Sequence, residues 1–493
     1  MYICFSTFNF ISPIQMRVIL LFFSFLGIIL TSQAQQISPL APLPSSKQLK
    51  WQAMEYYGFV HFNMNTFTNV EWGEGKEAPN NFNPSALDCR QWARIAKASG
   101  MKGLILTAKH HDGFALYPSK FTSHTVAKSP WKNGKGDVVK ELANACKEYG
   151  LKMGIYLSPW DRFHPAYGTD EYNKIYAKMQ KELLTQYGPI FEFWYDGANG
   201  EGPNGKKQVY DWPLFHSMVN KYQPDAVQFS DNGPDIRWVG NERGYNYETS
   251  WSPFNKDEIY PGFPNFDKYR NGQENGSHWV APEVDVSIRP GWYYHPNEDN
   301  KVKSPDSLMK IYVASVGRNA NLLLNIPVDT RGLIHPNDSA AMIGFADLRK
   351  KGLINLINPT NSVIRVSSTH NSNYSSKLLT DKSINTAWAP ESNDKRAYID
   401  LMFNKAVRAN AFMLQEPITL GQRIKAFSIE ITLESGEKLT LNGKTIGYKR
   451  MITFPEKMVK QIRVFLEDSR AQPLISNLEL YRIISTRNES LFH

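Results

Sequence analysis

The sequence predicts an α/β protein, a (β/α)8-type (TIM-like) barrel followed by a C-terminal all-β sandwich. Eight short apolar runs typical of β-strands follow one another between residues 57 and 328. Amphipathic segments, apolar at every third or fourth position, lie between several of these runs, as expected of helices that connect parallel strands. From about residue 358 the pattern changes to short alternating runs separated by Gly, Asn, Ser and Asp, which favours an antiparallel sandwich.

We therefore predict three segments along the chain. They are a signal peptide in residues 1–34, a (β/α)8-like catalytic barrel in residues 37–355 and a β-sandwich accessory domain in residues 356–493. A length of 493 residues suits two or three domains, one of them a large barrel.

The predicted barrel strands alternate with predicted helices. The strands are residues 58–64, 103–109, 152–159, 190–197, 226–231, 245–251, 283–288 and 321–328. The helices are residues 85–100, 136–150, 170–187, 211–222, 305–318 and a closing helix at 338–351. The fifth and sixth strands have the weakest β pattern, so we expect any distortion of the barrel there.

The first residues have the pattern of a secretory signal peptide. Arg17 is the only charge before an apolar run over residues 18–30, and small residues lead to Ala34. Thirteen apolar residues fall short of the roughly 20 that span a bilayer. We therefore expect cleavage after Ala34, export to the periplasm or the extracellular space, and no membrane span afterwards; a retained anchor is the alternative.

Composition narrows the class of protein. Hydrophobic residues are 42% and charged residues 21%, the balance of a soluble globular chain, and the aromatic share of 13% suits the binding of sugar rings. The net charge of +9 is scattered, with no basic run longer than residues 349–351, so nucleic-acid binding is not expected. Two cysteines remain after the predicted cleavage, Cys89 and Cys146, without CxxC spacing. Buried free thiols are favoured, and a disulfide between them stays open.

Chemically active side chains concentrate where the predicted strands end. His61 lies in the first strand, the second ends at residues 109–114, the third at 156–161 and the fourth at 194–197. In a parallel barrel these carboxyl ends open on one face. A single Asp before Gly is usually a turn residue, but the convergence of four such ends predicts a pocket.

A metal site is the competing interpretation of the same residues. His61, His110, His111 and Asp196 are the residue types of a binuclear hydrolase site. The first strand lacks an HxH pair, and adjacent residues of a strand point to opposite faces. We therefore expect neither metal nor cofactor, and histidines that bind hydroxyl groups.

Several motifs together resemble a known family. The segments GFVHFN, HHDGF, GIYLSPWD and FEFWYDGANG, in this order, resemble the α-L-fucosidases of glycoside hydrolase family 29. The segments PDIRWVGNERG and PEVDVSIRPGWYYHP look like the branch that prefers α-1,3/1,4-linked fucosides. The resemblance covers residues 50–330. LLTDKSINTAWAP, residues 378–390, resembles the galactose-binding-like (discoidin-type) sandwiches.

The resemblance implies retaining hydrolysis by two displacements. It assigns the nucleophile to Asp196 and the acid/base to Glu242, with Glu283 and Glu248 as alternatives for the acid/base. It assigns fucose binding to His61, Glu71, Trp72, His110, His111 and Tyr156. Trp194, Trp251 and Trp292 are candidates for stacking on the sugars, and equally for the core.

The implied function is an exported exo-α-L-fucosidase acting on α-1,3/1,4-linked fucose of branched, Lewis-type glycans. Its expected partners are fucosylated oligosaccharides or glycoconjugates, and the oligomeric state stays open. One alternative is a fucosidase of broad or α-1,2 preference. Another, of a different class, is a fucose-binding protein without catalysis.

Overall fold

The computed structural model describes Met1 and residues 36–394 and 396–492. Residues 2–34 of the predicted signal peptide and the cleavage site after Ala34 therefore lie outside the described residues. Within these ranges no helix combines the length and the apolar character needed to cross a membrane.

Eight parallel strands close into a barrel, as the sequence predicts. In chain order the barrel strands are β1 (Tyr56–His61), β2 (Gly103–Lys109), β3 (Lys152–Leu157), β4 (Ile190–Trp194), β5 (Val227–Ser230), β6 (Ile236–Trp238), β9 (Ala281–Ser287) and β10 (Asn321–Pro327). A two-stranded antiparallel sheet, β7 (Pro253–Phe254) and β8 (His278–Trp279), lies between β6 and β9 in the chain. Around the barrel the order is β1-β10-β9-β6-β5-β4-β3-β2.

Helices connect the strands as expected. They are α1 (Ser46–Gln52), α2 (Met64–Thr68), α3 (Cys89–Ala98), α4 (Val138–Tyr149), α5 (Asp170–Gln186), α6 (Trp212–Tyr222), α7 (Pro305–Ser315) and α8 (Pro336–Gly352). The Asp137 side chain caps the start of α4, and Gly150 ends it with a positive φ of 64°. A left-handed residue suits Gly, because a side chain there would be strained. After this stop the chain enters β3, which runs from Lys152 to Leu157.

The prediction of the sixth strand is wrong. Residues 245–251 are not a strand, and Ile236–Trp238 takes the sixth position in the barrel. Side chains rather than a strand partner fix the segment 245–251: Asn246 Nδ2 donates to Ser250 Oγ (2.7 Å) and to Arg318 O (2.8 Å). Its alternation of aromatic and polar residues therefore reflects packing against neighbouring loops.

The C-terminal region is the expected antiparallel β domain. Its strands are β11 (Ser362–Val366), β12 (Tyr398–Gln415), β13 (Ile424–Leu433), β14 (Lys438–Gly443), β15 (Arg450–Ser469) and β16 (Asn477–Tyr481). They are ordered β11-β12-β15-β13-β14, and β16 pairs with β12. Apolar residues alternate along β13, so that one face forms the core of this domain.

The β domain contacts the amino-terminal end of the barrel. Lys449 forms an ion pair with Glu55, the residue before β1, and the Tyr448 backbone N–H donates to Asn319, just before β10. In a parallel barrel the carboxyl ends of the strands lie at the opposite face. The β domain thus leaves the carboxyl-terminal face of the barrel open.

Both cysteines of the barrel are buried free thiols. Cys89 lies on α3 and Cys146 on α4. Burial raises the pKa of the Cys146 thiol to about 12.

Candidate active site

A cavity of about 340 Å³ opens at the carboxyl ends of the barrel strands. Its lining residues are Phe59, His61, Glu71, Trp72, His110, His111, Tyr156, Trp194, Asp196, Ala198, Glu242, Asp285, Trp292 and Tyr293. Of the residues predicted for the site, excluding the alternative acid/bases, only Trp251 is missing from this wall. The strand ends therefore converge as the sequence suggests.

Asp196 follows β4 directly and is surrounded by donors. Its Oδ2 accepts a hydrogen bond from the Tyr156 hydroxyl (2.9 Å), and its Oδ1 accepts one from the Ala198 backbone N–H (2.8 Å). His111 Nε2 lies 3.6 Å from Oδ2. Such contacts hold the carboxylate in one orientation.

Glu242 faces Asp196 from the loop after β6. Its Oε2 accepts a hydrogen bond from the Trp292 indole N–H (3.0 Å). Solvent reaches Glu242 through the cavity mouth, but the surrounding protein partly desolvates it and raises its pKa, with smaller contributions from the negative charges of Asp196 and Glu71. Asp196 and Glu242 thus lie in one cavity but in different environments: donors hold Asp196, and Glu242 is driven towards its protonated form.

His61 is a buried, neutral hydrogen-bonding residue. Burial lowers the pKa of His61 to about 3. Its Nδ1 lies 2.7 Å from Asn325 Oδ1, and the amide nitrogen of Asn325 donates to the Trp292 carbonyl (2.8 Å). Because the Trp292 carbonyl can only accept, Asn325 presents its oxygen to His61, so that Nδ1 carries the proton. Nε2 of His61 is then an acceptor for a hydroxyl group.

The histidine pair after β2 complements His61. The Asn65 amide nitrogen lies 3.3 Å from His110 Nδ1 and donates to the Glu71 carbonyl (2.7 Å), so Nδ1 of His110 accepts and Nε2 is a donor. Burial holds the pKa of His110 well below its usual range, and burial lowers the pKa of His111 to about 4. Neutral imidazoles therefore offer the cavity both donors and acceptors for sugar hydroxyls.

Glu71 ties the first loop of the barrel to the loop after β9. Its carboxylate accepts from the backbone N–H groups of Trp292 (3.0 Å) and Tyr293 (3.3 Å). His295 Nε2 lies 2.7 Å from the same carboxylate. Glu71 thus lines the cavity as predicted and also holds Trp292, the partner of Glu242.

The tryptophans of the wall differ in exposure. Trp72 is 58% exposed at the rim and meets the ring of His111 edge to face, 5.7 Å between centroids. Trp194 is buried and stacks on Phe229 at 4.2 Å, so it presents little more than an edge to a ligand. Trp292 lies against His61, 5.2 Å between centroids.

Trp251 and Glu248 do not reach the cavity, which corrects two expectations. Trp251 is buried, and the guanidinium of Arg470 from the β domain lies 5.6 Å from its ring. Glu248 forms ion pairs with Arg318 and with Arg450 of the β domain. Both residues follow the displaced sixth strand, so they lie at the contact with the β domain.

Glu283 lies inside the barrel, below the cavity. It is fully buried in β9, and its carboxyl group accepts from the Trp194 indole (2.9 Å) and from the Tyr57 hydroxyl. Burial raises the pKa of Glu283 to about 7. Both its oxygens are occupied by interior groups, so it cannot reach a leaving group in the cavity.

Asp285 and Tyr293 line the cavity without having been predicted. Asp285 belongs to EVDVSI, where it points to the same face as Glu283 two residues earlier, the spacing that would have revealed it. Tyr293 follows Trp292 directly, and its ring meets His61 and His110 edge to face. A buried Asp in an apolar strand is the signal that sequence reasoning passed over.

A second cavity of about 400 Å³ adjoins the first. The two share Trp194, Asp196, Ala198, Glu242 and Asp285. The second adds the aromatic residues Phe229 and Trp238 and the polar residues Asn199 and Asp231. Asp196, Glu242 and Asp285 thus lie where the two cavities join.

A search for metal-binding clusters covered the described ranges. In residues 36–394 and 396–492 no three His, Cys, Asp or Glu side chains are arranged to hold a metal ion.

Comparison with known proteins agrees with this geometry. Residues 41–348 match the family model described as alpha-L-fucosidase, and residues 363–477 match the F5/8 type C domain. The chain is 41% identical over 478 residues to alpha-L-fucosidase 1 of Arabidopsis thaliana, covering 94% of both chains.

Solved structures resemble the whole chain. A glycoside hydrolase 29 family member from an unknown rumen bacterium is 40% identical, with a TM-score of 0.78, over 91% of this chain and 78% of that one. A Ruminococcus gnavus GH29 fucosidase in complex with fucose is 29% identical, with a TM-score of 0.84, over 93% of this chain and 98% of that one.

Proposed function

The chain belongs to the α-L-fucosidase family, and on that premise we propose that it is an exported, retaining exo-α-L-fucosidase that prefers α-1,3/1,4-linked fucose of branched glycans. As a family member it is a glycoside hydrolase. The observation that carries the mechanism is the pair of unlike carboxyl groups, Asp196 and Glu242, in one cavity.

The first step is a displacement at the anomeric carbon. An oxygen of the Asp196 carboxylate forms a bond to this carbon while the bond to the leaving oxygen breaks, and Glu242 donates its proton to that oxygen. The hydrogen bonds that Asp196 accepts from Tyr156 and Ala198 support this role, since they hold the attacking group in one orientation. The raised pKa of Glu242 supports its role as the acid.

The second step releases fucose. Glu242, now ionised, takes a proton from water, the water oxygen bonds to the anomeric carbon, and the ester bond to Asp196 breaks. The sugar keeps its anomeric configuration because two displacements occur. Throughout, neutral His61 and His110 bind ring hydroxyls as acceptor and donor.

The preference for branched substrates rests on two features. The motifs PDIRWVGNERG and PEVDVSIRPGWYYHP resemble the branch of the family with that preference. The second cavity, joined to the first at Asp196 and Glu242, offers space and aromatic surface for the sugars that depart.

A labelling experiment tests the mechanism. A slow 2-fluorinated fucosyl donor should leave a fucosyl ester on Asp196, found by mass spectrometry of the peptides. A label on a different carboxyl group would reject the assignment. The anomer formed first, followed by NMR, should be the α-anomer.

A substrate panel tests the linkage. Fucose release from a Lewis-type trisaccharide should exceed release from an α-1,2-linked disaccharide by more than about tenfold in kcat/KM, the discrimination that one or two lost contacts produce. Equal rates on both would favour the broad-specificity alternative. Binding of fucose without turnover of any substrate, an aryl fucoside included, would favour the non-catalytic alternative.

Export is proposed from residues 1–34 alone. Deleting them should retain the protein in the cytoplasm, and N-terminal sequencing of the exported protein should begin after Ala34.

A further inference from the structure

Two tryptophan–carboxyl hydrogen bonds link β6 and β9 beside the acid/base residue. The Trp238 indole N–H donates to Asp285 Oδ1 (2.9 Å), and the Trp292 indole N–H donates to Glu242 Oε2 (3.0 Å). Trp238 and Glu242 belong to the β6 segment, whereas Asp285 and Trp292 belong to the β9 segment. Each segment therefore gives one indole and one carboxyl group to the other, an arrangement we call the reciprocal clamp.

Asp285 is the buried part of the clamp. It is 3% exposed and lies in the wall common to both cavities, together with Asp196 and Glu242. Burial raises the pKa of Asp285 well above its usual range, and the carboxyl groups of Glu242 and Glu283 raise it further when they are ionised. The carboxyl group of Asp285 is thereby shifted towards its protonated form, and its Oδ1 accepts the hydrogen bond from the Trp238 indole.

Trp238 is four residues before Glu242 and ends β6. β6 has only three residues, and the chain turns at Gly240, which has a φ of 80°. The loop that carries Glu242 thus leaves a short strand, with little ladder hydrogen bonding to fix its direction. Side-chain contacts must therefore position the carboxyl group of Glu242 relative to the leaving oxygen, as an acid requires.

We propose that Asp285 is a positioning residue for the reaction: through its hydrogen bond with Trp238 it orients the loop that presents Glu242 to the leaving oxygen. This inference rests on the proposed function, in which Glu242 is the acid. It assigns to Asp285 no contact with the reacting atoms. It requires an acceptor at Oδ1 rather than a negative charge.

The backbone around Trp238 has an independent anchor, so the clamp can be tested without disturbing the strand. The guanidinium of Arg237 donates to the carbonyl groups of Trp238 (3.1 Å) and Arg270 (3.1 Å). Trp238→Phe keeps an aromatic ring and removes the N–H donor. Asp285→Asn keeps the acceptor, whereas Asp285→Leu removes it and keeps a branched side chain, although a larger one.

The matched control is Trp279→Phe. Trp279 is buried in β8, and its indole N–H has no hydrogen-bond partner in the described part of the chain. The control therefore makes the same change of ring and N–H without breaking a hydrogen bond. It should retain wild-type kcat/KM on every substrate.

The experiment measures kcat/KM on a series of phenyl fucosides of similar size and different leaving-group pKa. A displaced acid harms poor leaving groups most, since good ones depart without a proton. We expect Trp238→Phe and Asp285→Leu to lose about 2-fold on dinitrophenyl fucoside and on the order of 10- to 100-fold on unsubstituted phenyl fucoside. Asp285→Asn should stay within about 3-fold of wild type throughout, because it restores the acceptor.

Two outcomes would overturn the proposal. One is a loss from Trp238→Phe that does not depend on the leaving group. Another is Asp285→Asn failing as Asp285→Leu does, which would show that the charge matters. If Asp285→Leu does not fold, Trp238→Phe still tests the hydrogen bond between Trp238 and Asp285. Glu242→Gln, measured in parallel, separates the role of Asp285 from the identity of the acid. If the loss depends on the leaving group in Glu242→Gln but not in Trp238→Phe, only the clamp is rejected. If the loss in Glu242→Gln does not depend on the leaving group, the proposed acid is rejected.

Discussion

The two ends of the barrel both contain buried polar groups, but they satisfy them differently. At the amino-terminal end the partners are within the protein: Gln422 of the β domain accepts from the Ser252 N–H (2.8 Å) and donates to the Ser250 carbonyl (2.8 Å). At the carboxyl-terminal end His61 and His110 each use one ring nitrogen for the protein and turn the other to a cavity.

This difference separates structure from function. A polar group whose hydrogen bonds are completed inside the protein stabilises the fold. A polar group with one partner in the protein and one side towards a cavity is oriented for a ligand. Substituting a polar group of the first kind should therefore change the stability of the fold, and substituting one of the second kind should change turnover.

The largest expected effect is on turnover, from Asp196→Ala. Removing the nucleophile should lower kcat on the order of 10⁴-fold or more, as for other residues that form covalent intermediates. The melting temperature should stay within about 2 °C, because Asp196 faces the cavity. If Asp196→Ala had a clearly lower melting temperature and an unchanged kcat in its folded state, the comparison of the two ends would be contradicted.

Glu242→Gln should have the next largest effect and should change the pH profile. Loss of an acid costs about 10²- to 10⁴-fold on poor leaving groups. Because the pKa of Glu242 is raised, wild-type activity should persist above the usual titration range of Glu and fall as pH rises through that pKa. In Glu242→Gln this basic limb should be absent, and azide should rescue turnover of activated aryl fucosides. A basic limb that survives the substitution would point to another acid.

Tyr156→Phe should have a smaller effect. It removes the hydroxyl that donates to Asp196 (2.9 Å) and leaves the ring packed beside Trp194. A lost hydrogen bond to a charged group costs about 1.5–3 kcal/mol, or about 10- to 100-fold in kcat/KM. Kinetics on an aryl fucoside check this, and a change below 2-fold would mean that Tyr156 does not help to orient the nucleophile.

The smallest effect on turnover is expected at the other end of the barrel, from Lys449→Met. Glu55 would lose its cationic partner while it keeps the hydrogen bond from Tyr312 (2.8 Å), so the free energy of unfolding should fall by about 1–3 kcal/mol. Thermal unfolding measures this loss, and kcat of the folded protein should not change. The control is Lys444→Met, an exposed lysine of the same domain. Equal loss in both variants would show that the ion pair contributes nothing specific.

Predictions from the sequence succeeded where one local pattern had one physical meaning. The run ending in Asp196 is buried on both faces and apolar except at Glu192, as expected of a parallel strand covered by helices, so both its strand and the location of its end could be predicted. The helical periodicity of apolar residues likewise identified α4 and α5, because that pattern had one physical meaning there. The prediction of a strand at residues 245–251 failed because an alternation of aromatic and polar residues also arises in a loop packed between two domains.

Aromatic residues were the least predictable. Trp194, Trp251 and Trp292 all lie near strand ends or loops, and burial favours an indole equally in a core, at a domain contact or beside a ligand. The structure assigns Trp251 to the contact with the β domain and Trp292 to the cavity. Nothing local to either residue distinguishes them, since the difference arises from the segments that pack on them.

The sequence by itself determined the strand and helix pattern of the barrel, the β character of the C-terminal region and the cluster of His, Asp and Trp at the strand ends, because these follow from periodicity and from the direction of parallel strands. The tertiary structure decided that Glu283 is an interior residue, that Glu248 is a domain contact and that Asp285 lies beside Glu242. The physical reason is that a carboxyl group acquires its protonation state and its function from neighbours distant in the chain, and only closure of the barrel brings those neighbours together.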